Sequence, residues 1–230
     1  MDFKRLTADK KDLSAQVERL SADNIKLSTD NAKLSEEFES LSAELEWRRR
    51  YGYAVNVTLD PETAHPCLIL SQDWRSVRRG DTTQNLPYNP ERFDTDPCVL
   101  GCEGFTSGSH YWEVEVGDGA DWRLGVCKDS VRKTGKIIRS LSPEEGYWAM
   151  RLMGDYTALT SPPTWLRLSV TPQIVGIFLD YEAGTVSFYN ADDKSHLFTF
   201  IHTFTEKLRP FFCTYDIEVP LRILPVAAWK

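Results

Sequence analysis

Leucine recurs every seven residues from Leu6 through Leu13, Leu20, Leu27 and Leu34 to Leu41, and no proline or glycine interrupts residues 3–48. An α-helix turns once in about 3.6 residues, so an apolar side chain at every seventh position draws a narrow stripe along one side. With the leucines as heptad position d, position a holds Phe3, Lys10, Val17, Asn24, Asn31, Phe38 and Leu45. A helix lying on a globular core shows a wider apolar face than this strict a/d seam. The pattern therefore predicts a coiled coil. Facing asparagines at a satisfy one another in a parallel dimer and fix its register at some cost in stability. The expectation is a helical segment over residues 1–52, roughly 65 Å along its heptads. It forms a parallel homodimer through Leu6, Leu13, Leu20, Asn24, Leu27, Asn31, Leu34 and Leu41. Arg48, Arg49 and Arg50 suit the negative end of the helix dipole, and Gly52 permits the stop.

From residue 53 to residue 230 the pattern changes to short apolar runs separated by Gly, Pro, Asn and Asp: "VNVTL", "CLIL", "YWEVEV", "WRLGVC", "GYWAMRL", "IVGIFLDY", "TVSFYN", "LFTF", "RPFFC" and "LRILPV". Many short strands at this spacing predict an all-β antiparallel sandwich of two sheets. "DYEAGTVSFYN" reads as a hairpin turning at Glu182-Ala183-Gly184.

The stretch "YWEVEVGDGADWRLGVC" sets two carboxylates, Glu113 and Glu115, on the face opposite Trp112, Val114 and Val116. Read as a hairpin, it brings Glu115 opposite Arg123, an ion pair of the kind that stabilises cross-strand neighbours. An acid catalyst needs a raised pKa, and an adjacent arginine lowers it, so the pair reads as the wet face of a scaffold. Ser107 and Ser109 stand near His110 without a nucleophile elbow, and His110 shares the parity of Trp112. His65, His196 and His202 are isolated in sequence. Five scattered cysteines, Cys67, Cys98, Cys102, Cys127 and Cys213, form neither a disulfide framework nor a zinc-ligand pattern. The sequon Asn56-Val57-Thr58 matters only in a secreted chain. No catalytic residue, metal or cofactor is expected. The net charge of −7, without a basic stripe, excludes nucleic acid as the main partner, because phosphate affinity comes from Lys and Arg. No apolar run approaches the roughly 20 residues that span a bilayer, so no membrane insertion by this chain is expected. It reads as cytoplasmic, free-standing or as the tail of a membrane protein.

The globular part resembles a PRY-SPRY (B30.2) domain over about residues 54–226. "VTLDPETAHPCLILSQDWRSVRRGD" resembles the PRY segment. "PCVLGCEGFTSGSHYWEVEVGD", "WRLGVCKDSVRK", "VGIFLDYEAGTVSFYN" and "LRPFF" resemble successive SPRY motifs. The resemblance implies a bent two-sheet β-sandwich that binds proteins, and in some members small ligands or peptides, through its loops, without catalysis. Two groups carry this domain behind helices. "ELEWRRRYGYAVNVTLDPETAHP" is similar to the junction of butyrophilins, whereas "HTFTEKLRPFF" is closer to tripartite-motif ubiquitin ligases, whose RING and B-box arrays this sequence lacks. The pocket that binds phosphorylated metabolites in some butyrophilins maps onto Asp96, Arg123, Ile138 or Arg139, Thr157, Pro163 and Cys213. That set is poor in the convergent cations a pyrophosphate needs. The antibody-binding pocket of one tripartite-motif protein maps onto Arg151, Met153 and Arg123, without its tryptophans.

The expected function is a non-enzymatic interaction module: a coiled-coil-dimerised domain that binds a protein partner through variable loops, in immune signalling or regulation. Metabolite sensing and substrate recognition for a ubiquitin ligase are the alternatives the resemblance implies. The partner-binding residues are expected to be Arg123, Arg151, Met153, Tyr156 and Trp165, with Phe212 and Tyr215 from the end of the chain. Arg, Tyr and Trp are the residue types that dominate binding energy at interfaces. By strand alternation, Arg123 and Arg151 point away from the Trp122 and Trp148 faces and are expected exposed beside one another.

Overall fold

A computed structural model describes residues 2–137 and 141–225, with side chains from residue 5 onward. The chain divides into two compact units, Met1–Arg49 and Arg50–Lys230. The first is a single helix, α1 (Asp2–Tyr51), which ends just before Gly52. Along it the six heptad leucines are 59–70% exposed, and Val17, Phe38 and Leu45 are exposed with them. The heptad stripe thus lies bare on the single chain.

Among the described residues, the second unit forms thirteen strands in two antiparallel sheets. They are β1 (Leu68–Leu70), β2 (Ser76–Arg79), β3 (Cys98–Leu100), β4 (Ser109–Glu115), β5 (Asp121–Lys128), β6 (Tyr147–Met153), β7 (Asp155–Ala158), β8 (Thr164–Trp165), β9 (Ile174–Asp180), β10 (Thr185–Asn190), β11 (His196–Ile201), β12 (Leu208–Thr214) and β13 (Leu221–Leu224). One sheet has seven strands in the order β1-β2-β13-β4-β9-β10-β11, the other six in the order β3-β12-β5-β6-β7-β8. The hairpin at residues 182–184 joins β9 to β10, and Gly184 takes a positive φ of 68° there. "VNVTL" is extended without joining a named strand: Leu59 bridges Gly101, and Val57 and Leu59 are buried in the core between the sheets.

The reading of "YWEVEVGDGADWRLGVC" as a two-stranded hairpin is overturned. β4 pairs with β13 and β9, and β5 pairs with β12 and β6. The turn between them crosses from one sheet to the other. Both strands still bury their alternate residues, because each turns its apolar face to the same space from opposite sides. Trp112 and Val114 meet Trp122, Leu124, Val126, Trp148, Met150 and Phe212 in the core between the sheets. Each such large side chain contributes about 1.5–3 kcal/mol on burial. Glu115 accordingly faces Arg222, at a loose 4.0 Å, rather than Arg123.

Glu113 is not on a wet face either. It is buried and accepts hydrogen bonds from the hydroxyls of Tyr51, at 2.5 Å, and Tyr111, at 2.7 Å. Residues 53–55 run parallel beside the start of β4, where Tyr111 N–H donates to the Tyr53 carbonyl and Val55 N–H to that of Tyr111. Gly176 makes room for the Tyr111 side chain, since a Cβ there would meet the Tyr111 hydroxyl at 2.6 Å.

A second apolar cluster lies on the outside of the six-stranded sheet. Phe93, Val131, Ile137 and Leu141 from long loops cover Cys98, Leu100, Cys127, Tyr147, Ala149, Phe211 and Cys213. Arg209 ties the segment before β1 to this sheet. Its Nε donates to the Gly101 carbonyl at 2.8 Å, and its guanidinium also pairs with Asp60 at 2.7 Å. Of the predicted binding residues, Met153 and Trp165 lie exposed on this outer face.

Candidate interaction face

Directly opposed residues in an antiparallel pair share a face. The register therefore lines up one row across five neighbouring strands: Cys213 on β12, Arg123 on β5, Arg151 on β6, Thr157 on β7 and Trp165 on β8. A second row runs through Asp121, Met153 and Asp155. All of it lies on the outer face of the six-stranded sheet. There Trp165 is 62% and Met153 55% exposed.

Arg123 forms the floor of this face. It is only 4% exposed, which corrects the expectation of an exposed cation. Its guanidinium donates to Asp121 Oδ1, approaches Met153 Sδ at 3.5 Å, and lies 5.1 Å over the Tyr215 ring. The Tyr215 hydroxyl in turn donates to Asp96 Oδ1 at 3.1 Å, and Asp96 Oδ2 accepts the Ile137 N–H at 2.7 Å. Burial, with Cys213 and Asp96 close by, pushes the Tyr215 phenol above its ordinary pKa. Parity alone gives the direction in which Arg123 points. It does not show that Tyr215 and Asp96, distant in sequence, cover it.

Arg151 is half-buried beside Arg123. Its Nε and the Oγ1 of Thr157, its neighbour across β6 and β7, are shielded from water and bonded to no described residue. Buried donors without acceptors are uncommon and costly. Sequence reasoning named Thr157 only through a family pocket, and nothing in its own surroundings in the sequence marked it.

Two predicted binding residues lie elsewhere. Phe212 is buried opposite Leu124 in the core between the sheets. Tyr156 packs edge-on against Trp122, with ring centres 5.9 Å apart, on that same inner side. Both are one residue out of phase with the row above. Of the mapped metabolite pocket, Asp96, Arg123, Thr157 and Cys213 come together, with Arg123 already committed to Asp121. Pro163 immediately precedes β8, and Ile138 and Arg139 lie outside the described residues.

The other groups weighed for chemistry have structural partners. His110 stacks on Phe105 with ring centres 4.0 Å apart, and its Nε2 lies 2.8 Å from the Ser107 carbonyl. Burial pushes the Cys127 thiol up to about 12. Among the described residues, no cluster of three or more His, Cys, Asp or Glu is arranged to hold a metal, and no helix is long and apolar enough to cross a membrane.

Residues 57–105 match the SPRY-associated domain, PRY, and residues 109–220 match the SPRY domain. Butyrophilin subfamily 1 member A1 of Bos taurus is 53% identical over 185 residues, 79% of this chain and 35% of that protein. Erythroid membrane-associated protein of Homo sapiens is 56% identical over 174 residues, 74% of this chain and 36% of that protein. The chain thus spans about a third of the length of the curated relatives it matches. The TRIM65 PSpry domain superposes with a TM-score of 0.68 at 24% identity, covering 77% of this chain and 94% of that one. At that identity the likeness speaks for the fold alone.

Proposed function

The chain belongs to the PRY-SPRY (B30.2) family, and we propose that it is a non-enzymatic recognition module binding a protein partner on the outer face of its six-stranded sheet. The observation that carries this reading is the half-buried Arg151, paired with no carboxylate among the described residues, beside exposed Met153 and Trp165. A partner that sets an acidic side chain against the exposed part of Arg151 and an apolar one against Trp165 pairs the cation and covers the aromatic surface. Arg123 and Tyr215 contribute by holding the floor rigid, and Tyr156 and Phe212 by supporting it from inside.

The helix supports the second part of the reading, a parallel homodimer. Six exposed leucines at heptad spacing, interrupted at a by Asn24 and Asn31, suit a self-partnered seam. Pairing doubles the binding faces and raises avidity for a repeated target. Five free cysteines suit a reducing compartment, in keeping with a cytoplasmic setting. A role in immune regulation is the functional context proposed by kinship with butyrophilins. Affinity capture with the wild-type chain beside Arg151→Glu, followed by titration of the captured partner in purified form, tests the face. A hot-spot arginine loses about 2 kcal/mol or more of binding on charge reversal, and a partner that binds both forms equally places the interface elsewhere.

A further inference from the structure

On the other sheet, the edge strand β1 borders a second concave site. A groove of about 590 Å³ runs between β1 and the loop that follows β2, lined by Leu68, Ile69, Leu70, Trp74, Leu86 and Arg92 among others. Ile69, Trp74 and Leu86 are exposed. Trp74 holds a positive φ of 56°, a left-handed conformation that is rare for a bulky non-glycine residue and marks a position fixed by its surroundings.

Three further features say what the groove can take. The first is a free strand edge. Ser71 N–H bonds to the Ser76 carbonyl and Gly80 N–H to that of Cys67. Alternation along the ladder then turns Ile69 toward β2, and the backbone groups of Leu68 and Leu70 outward. The outward Leu68 carbonyl is taken by the Gln84 side chain at 2.6 Å, in the manner of a neighbouring strand. The Leu70 N–H and C=O lie past that cap on the open edge. The second is charge. Arg92 is only 9% exposed, and the carboxylate paired with it among the described residues, Glu62, stands 3.7 Å away and is 71% exposed. Its NH1 holds the Pro61 and Ala64 carbonyls, both at 2.7 Å. The third is that its Nε is buried and bonded to no described residue. A weakly compensated buried cation beside an apolar groove complements an anion attached to an apolar group.

We propose that this groove is a peptide-binding site, distinct from the outer face of the six-stranded sheet. It takes an extended segment of a partner protein with an apolar side chain next to an acidic one. The segment adds to the edge of β1 through Leu70. Its apolar side chain packs against Ile69, Trp74 and Leu86, and its carboxylate meets Arg92. In strand addition, the backbone bonds supply affinity and the pockets beside them select alternate side chains.

The test is to pan a phage-displayed random-peptide library on the full chain and measure the enriched peptides as synthetic ligands by fluorescence anisotropy. The expected result is an enriched acidic-next-to-apolar pattern whose binding weakens about tenfold or more in Ile69→Lys and in Leu86→Lys. Both changes are at exposed positions, and unchanged thermal unfolding shows that the fold is intact. Two changes made in the peptide leave the protein untouched. Replacing its acidic residue by the corresponding amide, and N-methylating the one amide that pairs with the Leu70 carbonyl, should each weaken binding similarly. Arg151→Glu should bind these peptides like the wild type, which separates this site from the other face. No enriched sequence, or enriched peptides that bind Ile69→Lys and Leu86→Lys as tightly as the wild type, overturns the proposal.

Discussion

Arg123 and Arg151 are cross-strand neighbours on β5 and β6, yet removing each should have opposite consequences. Arg123→Ala deletes a charge-assisted hydrogen bond to Asp121, worth about 1.5–3 kcal/mol. It also deletes the stacking over Tyr215, worth about 0.5–2 kcal/mol. Asp121 keeps 33% of its side-chain surface in water and rehydrates in the variant, which holds the sum to about 3 kcal/mol. For a domain of this size, each kcal/mol moves the melting temperature by about 2–4 °C, so a fall of about 6–12 °C is expected. Arg151→Ala removes a group whose Nε is already unbonded, so its folding free energy should change by no more than about 0.5 kcal/mol while partner binding suffers. Urea unfolding followed by tryptophan fluorescence measures both, because Trp112, Trp122 and Trp148 are buried in the core. If Arg123→Ala falls within about 0.5 kcal/mol of wild type, or Arg151→Ala loses as much as Arg123→Ala, the division into a structural floor and a contact residue is wrong.

Light scattering should find a dimer for the full chain and a monomer for residues 51–230, and a monomer for both removes the coiled-coil reading. Asn24→Leu combined with Asn31→Leu should raise the helix melting temperature and broaden the distribution of oligomers, since buried asparagine selects register at the cost of stability; sedimentation of a single unchanged species refutes that. Gly125→Ala should prevent stable folding, because the added Cβ would sit 2.1 Å from the Trp148 carbonyl; circular dichroism of the purified variant checks it. Burial holds the His65 pKa below 6.5, and its Nδ1 accepts the Cys67 N–H at 3.1 Å, so the folded chain prefers the neutral ring. Because the unfolded chain binds that proton more tightly, this contribution is complete above pH 6.5 and is lost as the pH falls below it. His65→Asn should flatten that part of the stability profile measured by urea unfolding at successive pH values.

What the sequence disclosed and what it hid divide along one physical line. Alternation within a strand is a local property, so the buried sides of β4, β5 and β6 could be read from "YWEVEV", "WRLGV" and "YWAMRL". Heptad spacing is local too, and the helix runs on past Leu45, the last apolar heptad position, to Tyr51, just before Gly52. Which strand lies beside which is not local. Two alternating strands joined by a short glycine-containing turn bury the same residues whether they pair as a hairpin or face each other across a core. β4 and β5 do the second, and the expected Glu115–Arg123 pair was lost with the hairpin. Burial of a polar side chain is less local still. Glu113 is enclosed by a tyrosine 62 positions earlier in the chain, and Arg123 lies beneath Tyr215, carried in on the far end of β12. Phe212 and Tyr156 were misplaced because residue type was weighed over phase. Each lies next in sequence to a member of the outer row, Cys213 and Thr157, and adjacent positions on a strand point to opposite faces. Tracing that phase from Arg151 across β7 reaches Thr157 rather than Tyr156, once the β6–β7 register is known. A face built from one residue on each of five strands is therefore legible strand by strand, and only the pairing order assembles it into a site.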